Sequence, residues 1–130
     1  MGMQIKVCLA KLHRATITGA DLHYEGSITI DEALLNAAGL LPGQMVMINN
    51  LSNAVSWQTY ILKGKKGRGD VILNGPPARL FHKGDKVVIL AKAWVDSKDA
   101  AKMSPSVVFF TEKGKNPNKI TKVKKGWRPS

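Results

Sequence analysis

Short stretches in which polar and apolar residues alternate recur along the chain, and turn-forming residues separate them. The alternation is clear in Gln4–Leu9 and Arg14–Thr18. A period of two is typical of half-buried β-strands, because successive side chains point to opposite faces. Further strand candidates are Met45–Ile48, Trp57–Leu62, Asp70–Leu73, Lys86–Ala91 and Ser106–Thr111. The pattern therefore predicts a mainly β fold.

Helical signals are confined to two places. Asp31 can cap a helix over Glu32–Ala38, whose interior is rich in Ala and Leu, and Gly39 can end it. The run Pro76–Leu80 predicts a second, very short helical turn, because proline suits the first turn of a helix. We therefore expect one or two short helices beside the strands.

Two segments of the chain share a form in which a glycine turn leads into an apolar strand. They are Leu41–Ile48 and Phe81–Ile89. Two related halves of this kind suit a small closed β-barrel with pseudo-symmetry. The alternative is a β-sandwich, because a glycine turn followed by a strand is common in both folds. Many short strands with little helix favour a barrel.

The 130 residues are enough for one domain with a proper core, and 44% hydrophobic residues are typical of a folded protein.

The longest apolar runs are too short to span a membrane, and the N-terminus lacks a secretory signal, so we expect a cytoplasmic protein. The single cysteine, Cys8, lies in an apolar alternation and is interpreted as a buried thiol.

The net charge of +11 is concentrated at the C-terminus. Residues 113–130 carry seven Lys or Arg and no acidic residue, which is typical of a polar, mobile, cationic extension. We therefore predict a domain over residues 1–112 and an extension over 113–130. A basic tail can bind nucleic acid electrostatically, but no recognition motif accompanies the charge, so a solubilising tail is favoured.

The most specific signal is a block near the N-terminus that includes Lys11–Arg14 and Ala20–Ser27. This block resembles the self-processing segment of the pyruvoyl-dependent aspartate 1-decarboxylases. The resemblance covers roughly residues 4–112 and continues through Ala37–Leu40, Thr59–Tyr60, Asn74–Gly75 and Val87–Ala91. It implies a double-psi β-barrel that forms a homotetramer with active sites between neighbouring subunits. The implied enzyme is a lyase that converts L-aspartate to β-alanine and CO₂ for pantothenate biosynthesis.

The resemblance places the self-cleavage of the family between Gly26 and Ser27. The hydroxyl of Ser27 would attack the preceding carbonyl, and Gly26 would tolerate the strained backbone that this attack requires. A Gly–Ser pair alone is a common turn, so the prediction depends on the whole block. The implied cofactor is a pyruvoyl group made from Ser27, with no metal and no pyridoxal phosphate. Its carbonyl groups would accept the electrons left behind by CO₂.

The resemblance also implies roles for individual residues. Thr59 would stabilise the self-cleavage intermediate, Tyr60 would return a proton to the carbanion, and Lys11 would pair with the substrate carboxylate. The other implied substrate-binding residues are His13, Tyr24, Asn74, Gly75, Pro76, Pro77 and Ala78. Taken singly, these residues have ordinary explanations, such as a solvated lysine, a structural histidine or an Asn–Gly turn. Their joint occurrence favours the functional interpretation.

The chain departs from the family pattern where substrate is recognised. The family has an arginine that clamps the substrate carboxylate where this chain has Ser56, and Ser cannot replace a bidentate cation. The Ala-rich turn after Asn74–Gly75 becomes Pro76–Ala78, followed by Arg79. Either Arg79, Arg14 or a lysine of another loop supplies the charge, or a paralogue acts on another amino acid. A third hypothesis is a barrel that is never processed and binds a partner without being an enzyme. For the two enzyme hypotheses, cleavage either is spontaneous or needs a maturation factor.

Overall fold

The structure is a computed structural model that describes residues 2–111 and 113–126. Within these residues it contains nine strands and three short helices. The strands are β1 Gln4–Thr16, β2 Gly19–Asp21, β3 Ser27–Asp31, β4 Met45–Asn50, β5 Ser56–Gly64, β6 Val71–Asn74, β7 Lys86–Asp96, β8 Ser106–Phe110 and β9 Ile120–Lys125. The helices are α1 Glu32–Ala38, α2 Ser97–Ala100 and a 3₁₀ helix over Pro76–Arg79.

All nine strands belong to one sheet, in the order β2-β6-β3-β5-β4-β7-β1-β8-β9. The pairs β2/β6, β3/β5 and β1/β8 are parallel, and the others are antiparallel. Thr18, just after β1, donates its amide to the carbonyl of Val71 in β6 at 2.8 Å, and the amide of Val71 donates to the Thr18 hydroxyl at 2.9 Å. These bonds join strands that are far apart in the sheet order, so the sheet curves back on itself.

One face of the curved sheet forms the core. The largest strand side chains on this inward face that are completely buried include Leu12, Ile28, Ile30, Ile48, Ile61, Leu73 and Ile89. Each such side chain contributes about 1.5–3 kcal/mol of burial free energy. Leu34 and Leu35 of α1 join the same core. The prediction of a mainly β, barrel-like fold with short helices is therefore confirmed.

The local signals in the sequence place α1 and the 3₁₀ helix correctly. The Asp31 side chain accepts a hydrogen bond from the amide of Ala33 at 2.7 Å, and Gly39 ends α1 with φ of 72°. The two predicted strands near the N-terminus are instead one strand, β1, whose register with β7 shifts between Cys8 and Ala10 and again between Leu12 and Ala15. Such bulges bend a strand without ending it.

The predicted C-terminal extension is in part a strand. β9 pairs antiparallel with β8, and Asn118 just before it is 1% exposed. The Asn118 side chain accepts from the amide of Thr16 at 2.7 Å and donates to the carbonyls of Thr16 at 2.8 Å and Gly69 at 2.7 Å. The interpretation of this segment as a mobile tail is therefore wrong for residues 118–125. Residues 127–130 and the boundary residue 112 lie outside the described residues.

No helix within residues 2–111 and 113–126 has the length and apolar character needed to cross a membrane.

Candidate active site

Ser27 is the first residue of β3 and is completely buried, although residues 20–26 before it are exposed. Its hydroxyl donates to the carbonyl of Glu25 at 3.1 Å. Its Oγ accepts a hydrogen bond from Nδ2 of Asn74 at 3.0 Å. The predicted nucleophile is therefore held by two partners, immediately after an exposed glycine.

Asn74 lies at the end of β6, between two segments of the processing block. It is opposite Ser27 in the antiparallel pair with β3 and opposite Asp21 in the parallel pair with β2. The side chain is 4% exposed, and its Nδ2 also donates to Oγ1 of Thr29 at 3.0 Å. Thr29 is a site residue that the sequence analysis missed. The signal that could have found it is the alternation Ser27–Asp31, which places two hydroxyls on one face of a strand.

Gly75 brings the turn after β6 into direct contact with the predicted cleavage site. A Cβ atom on Gly75 would lie 2.9 Å from Cα of Gly26 and 3.0 Å from its nitrogen. The backbone of Gly75 has φ of 82° and ψ of −148°, which side chains other than hydrogen rarely allow. Its amide donates to the carbonyl of Asp21 at 2.8 Å. The loop over residues 21–27 therefore wraps around the Asn74–Gly75 turn.

The 3₁₀ helix follows directly from this turn. Pro77 is buried, Pro76 is exposed and Ala78 is half-buried, and the Ala78 amide donates to the carbonyl of Gly75 at 2.9 Å. Tyr24 is 53% exposed beside the same turn. These predicted substrate-binding residues are thus grouped around the Gly26–Ser27 peptide.

Tyr60 and Thr59 lie on β5, the parallel neighbour of β3, but on opposite faces. In the pairing of β3 with β5, the buried Ile28 lies opposite the buried Ile61. Side chains alternate between the two faces of a strand, so Ser27 and Tyr60, one residue earlier on each strand, both point to the outward face. Thr59 points inward with Ile61 and is 6% exposed. Within the described part of the chain, no hydrogen bond joins either side chain to Ser27. The roles predicted for both residues stay predictions.

Lys11 and His13 lie on β1, which pairs with β7 and β8 and not with β3, β5 or β6. The ring of His13 meets that of Phe109 edge to face, with centroids 5.4 Å apart. Partial burial, and then the charges of Lys11 and Arg14, lower the pKa of His13 below its ordinary value. Strand pairing within one chain therefore does not place Lys11 or His13 beside Ser27.

A groove of about 230 Å³ crosses the outward face of β4, β5 and β7, on the same face as Tyr60 and Lys11. Its lining is formed by Lys6, Met45, Val46, Met47, Gln58, Leu90, Lys92 and Trp94. Leu90 pairs with Lys11, and Met45 pairs with Tyr60. Lys11 and Tyr60 do not line the groove themselves, but each is the strand partner of a residue that does.

Ser56 lies on the same outward face and is exposed, opposite Asn49, which in turn pairs with Val88. The strand partner of Ser56 is therefore uncharged, and the β1 bulge between Leu12 and Ala15, which contains Arg14, lies opposite Val88 at the end of this row. Arg14 and Arg79 are both exposed; Arg14 has a positive φ of 62° on β1, and Arg79 ends the 3₁₀ helix near Gly75. Neither is on β4, β5 or β7.

The barrel-like β fold, with a buried serine directly after an exposed glycine, agrees with the resemblance to a lyase family that the sequence block indicated. The family model described as aspartate decarboxylase matches residues 3–117 of this chain. The chain belongs to the aspartate decarboxylase family.

Individual relatives match over nearly their whole length. The aspartate 1-decarboxylase of Flavobacterium psychrophilum is 49% identical over 111 residues, which are 85% of this chain and 96% of that protein. That of Carboxydothermus hydrogenoformans is 46% identical over 122 residues, 94% of this chain and 93% of that protein. That of Syntrophus aciditrophicus is 49% identical over 107 residues, 82% of this chain and 92% of that protein.

Proposed function

We propose that the protein is a pyruvoyl-dependent aspartate 1-decarboxylase that first cleaves itself between Gly26 and Ser27. The observation that carries the proposal is the buried Ser27 hydroxyl, held by Asn74 directly after an exposed glycine. Membership of the aspartate decarboxylase family supports the reaction, which converts L-aspartate to β-alanine and CO₂. The working location of the enzyme is the cytoplasm.

Self-cleavage requires only groups of the chain and one water molecule. Oγ of Ser27 attacks the carbonyl carbon of Gly26, the C–N bond breaks, and the hydroxyl proton passes to the freed nitrogen, which leaves an ester. Loss of the Cα proton of Ser27 then expels the Gly26 carboxylate and leaves dehydroalanine. Water adds to this residue and ammonia departs, so the new N-terminus carries a pyruvoyl group. The hydrogen bond from Asn74 to the Ser27 oxygen, directly after an exposed glycine, supports this sequence of steps.

The residues around Ser27 also fit the pyruvoyl group that this chemistry creates. When present, the group supplies carbonyls that bind the substrate amine and accept electrons during loss of CO₂. The Nδ2 of Asn74 already donates to the Ser27 oxygen, so Asn74 would hold the group by a hydrogen bond. Tyr60, outward on the neighbouring strand, would deliver the proton that replaces CO₂. Gly75, Pro76, Pro77, Ala78 and Tyr24 would form the wall of the site.

We propose that a neighbouring subunit completes the site in a homotetramer. Lys11 and His13 lie on strands that do not reach Ser27 within one chain, and Lys11 borders the outward groove. Met45 is 56% exposed and Trp94 66% exposed on this face, which is unusual for large apolar side chains in contact with water. A second copy of the chain would cover them and bring its own Lys11 to the site. A maturation factor, if cleavage requires one, would act on the exposed loop over residues 20–26.

One observation favours a second candidate function. The position of the family's carboxylate clamp is Ser56, and its strand neighbours Asn49 and Val88 are uncharged. A paralogue that acts on a different amino acid would bind its substrate through other contacts than this clamp. This alternative keeps the same fold and the same self-cleavage, so a substrate panel on cleaved protein separates it from the aspartate enzyme.

The decisive experiment is the intact mass of purified protein, with and without incubation at raised temperature. Cleavage predicts a chain of residues 1–26 and a chain of residues 27–130 that begins with a pyruvoyl group. Ser27→Ala removes the attacking hydroxyl and should stay whole. Wild-type protein that never cleaves would favour the unprocessed binding barrel, and Ser27→Ala cleaved at the same bond would exclude the mechanism.

A further inference from the structure

Thr29 contacts the predicted cleavage site without belonging to the motif that identified it. It lies two residues after Ser27 on β3, so both side chains point to the same face. Its Oγ1 accepts from Nδ2 of Asn74 at 3.0 Å, and the same nitrogen donates to Oγ of Ser27 at 3.0 Å. One amide group therefore bridges two hydroxyl oxygens.

The bridge fixes the direction of the Asn74 amide. Nδ2 carries two hydrogens, and each hydroxyl oxygen takes one of them. If the amide turned over, its oxygen would face both hydroxyls, and Ser27 would have to give up the bond to Glu25 that it donates at 3.1 Å. Ser27 is completely buried and Asn74 is 4% exposed. Thr29 is half-buried, but its hydrogen-bond partner is a buried side chain, so a lost hydroxyl leaves the Asn74 amide poorly placed to bond with water instead.

We propose that Thr29 is a positioning residue for self-cleavage. Its hydroxyl holds the Asn74 amide, which in turn keeps Oγ of Ser27 in place for attack on the carbonyl of the preceding Gly26. Without that hydroxyl, one buried N–H of Asn74 lacks an acceptor, and the amide rotates to find another. Small losses of alignment at an attacking atom lower the rate strongly. The inference rests on the proposed function, because it assigns a role within the same cleavage.

The test compares cleavage rates of full-length precursors that are purified quickly and incubated at one temperature. Intact mass follows the appearance of the 1–26 and 27–130 chains. Thr29→Val keeps the side-chain volume but removes the hydroxyl, and it should cleave about 10-fold or more slowly. Thr29→Ser keeps the hydroxyl and should cleave within about 3-fold of wild type. Thr111→Val, which removes a hydroxyl bonded to the Lys113 amide far along the chain, should cleave at the wild-type rate.

A second set of variants asks whether Thr29 acts through Asn74. In an Asn74→Ala background, Thr29→Val should change the remaining rate less than about 2-fold, because the amide it positions is gone. Equal slowing by Thr29→Val in both backgrounds would overturn the proposal. If well-folded Thr29→Val cleaved at the wild-type rate, the proposal would also be overturned. The same holds if Thr29→Ser slowed cleavage as much as Thr29→Val does. Circular dichroism checks folding, and Thr29→Ala replaces Thr29→Val if the latter does not fold. Wild-type protein that never cleaves would instead refute the proposed function itself.

Discussion

Ser27 and Tyr60 point to the same face of neighbouring parallel strands, although no hydrogen bond between residues that the structure describes joins them. Ser27 is held by Asn74, whereas Tyr60 is half-buried on β5. The two residues therefore have separable tasks. In the proposed mechanism, Ser27 provides the atoms of the cleavage and Tyr60 acts on the substrate afterwards.

Tyr60→Phe should therefore leave self-cleavage near the wild-type rate while turnover falls by about 10²–10⁴-fold. The substitution removes only the hydroxyl, so the packing of the ring on β5 survives. Intact mass measures the cleavage and serves as the control for folding, and CO₂ release from fully cleaved protein measures the turnover. Turnover close to wild type in cleaved Tyr60→Phe would mean that another group supplies the proton.

Ser56→Arg should improve the use of aspartate. A charge-assisted hydrogen bond contributes about 1.5–3 kcal/mol, which corresponds to about 10- to 150-fold in kcat/KM. Ser104→Arg, which adds the same charge at another exposed serine, should have no such effect. Unchanged aspartate kinetics in cleaved Ser56→Arg, together with harmless Arg79→Ala and Arg14→Ala, would show that position 56 does not determine the substrate.

Among the elements, β3 connects the cleavage site to the rest of the fold. At its N-terminal end stands Ser27, and at its C-terminal end stands Asp31, which is 1% exposed. The Asp31 carboxylate accepts from the amides of Ala33 at 2.7 Å, Gly67 at 3.0 Å and Gly69 at 2.6 Å. One side chain therefore caps α1 and also holds the basic loop between β5 and β6.

Asp31→Ala should lower the free energy of unfolding by about 2–4 kcal/mol, because it removes a helix cap and leaves the buried amide of Gly69 without an acceptor. Asp96→Ala is the matched control, since Asp96 caps the short helix α2 by accepting from the amide of Lys98 at 3.0 Å, and it should cost about 1 kcal/mol or less. Urea unfolding in a Ser27→Ala background keeps the chain uncleaved during the measurement. Equal losses in the two variants would contradict the double role of Asp31.

Elements with strong local signals were predictable from the sequence, and elements defined by distant partners were not. The cap at Asp31 and the stop at Gly39 predicted α1 with its observed bounds. β9 was missed because its lysine-rich sequence resembles a solvated tail, and only pairing with β8 makes it a strand. The grouping of Tyr24, Gly26, Ser27, Asn74 and Gly75 followed from the family motif. The hydroxyl bridge to Thr29 did not, because it depends on the register between β3 and β6.

At the scale of the whole molecule, the outward face of β4, β5 and β7 is the surface that the single chain leaves incomplete. Its groove carries apolar side chains beside Lys6, whose ammonium lies 5.7 Å from the centre of the Trp94 ring. Lys92 lines the same groove. This mixture of exposed apolar and cationic groups fits a subunit contact better than a solvated surface.

Trp94→Glu should therefore weaken the proposed tetramer, because it places a charge where an aromatic side chain would be buried. Leu41→Glu alters another large apolar residue, 69% exposed and outside this face, and should leave assembly unchanged. Light scattering across a concentration series measures both. A wild-type chain that is monomeric at micromolar concentration would contradict the shared site as well as the assembly.

The position of β1 within the sheet has a consequence for the lifetime of the processed protein. β1 lies between β7 and β8 and is hydrogen-bonded to both, so the 1–26 chain would stay enclosed by the 27–130 chain after the cut. Separation would require most of the sheet to open. Once separated, the two chains would have to meet again by diffusion, at whatever dilution the solution imposes. The uncleaved precursor can recover from unfolding by itself, but the mature enzyme would persist mainly because it unfolds slowly.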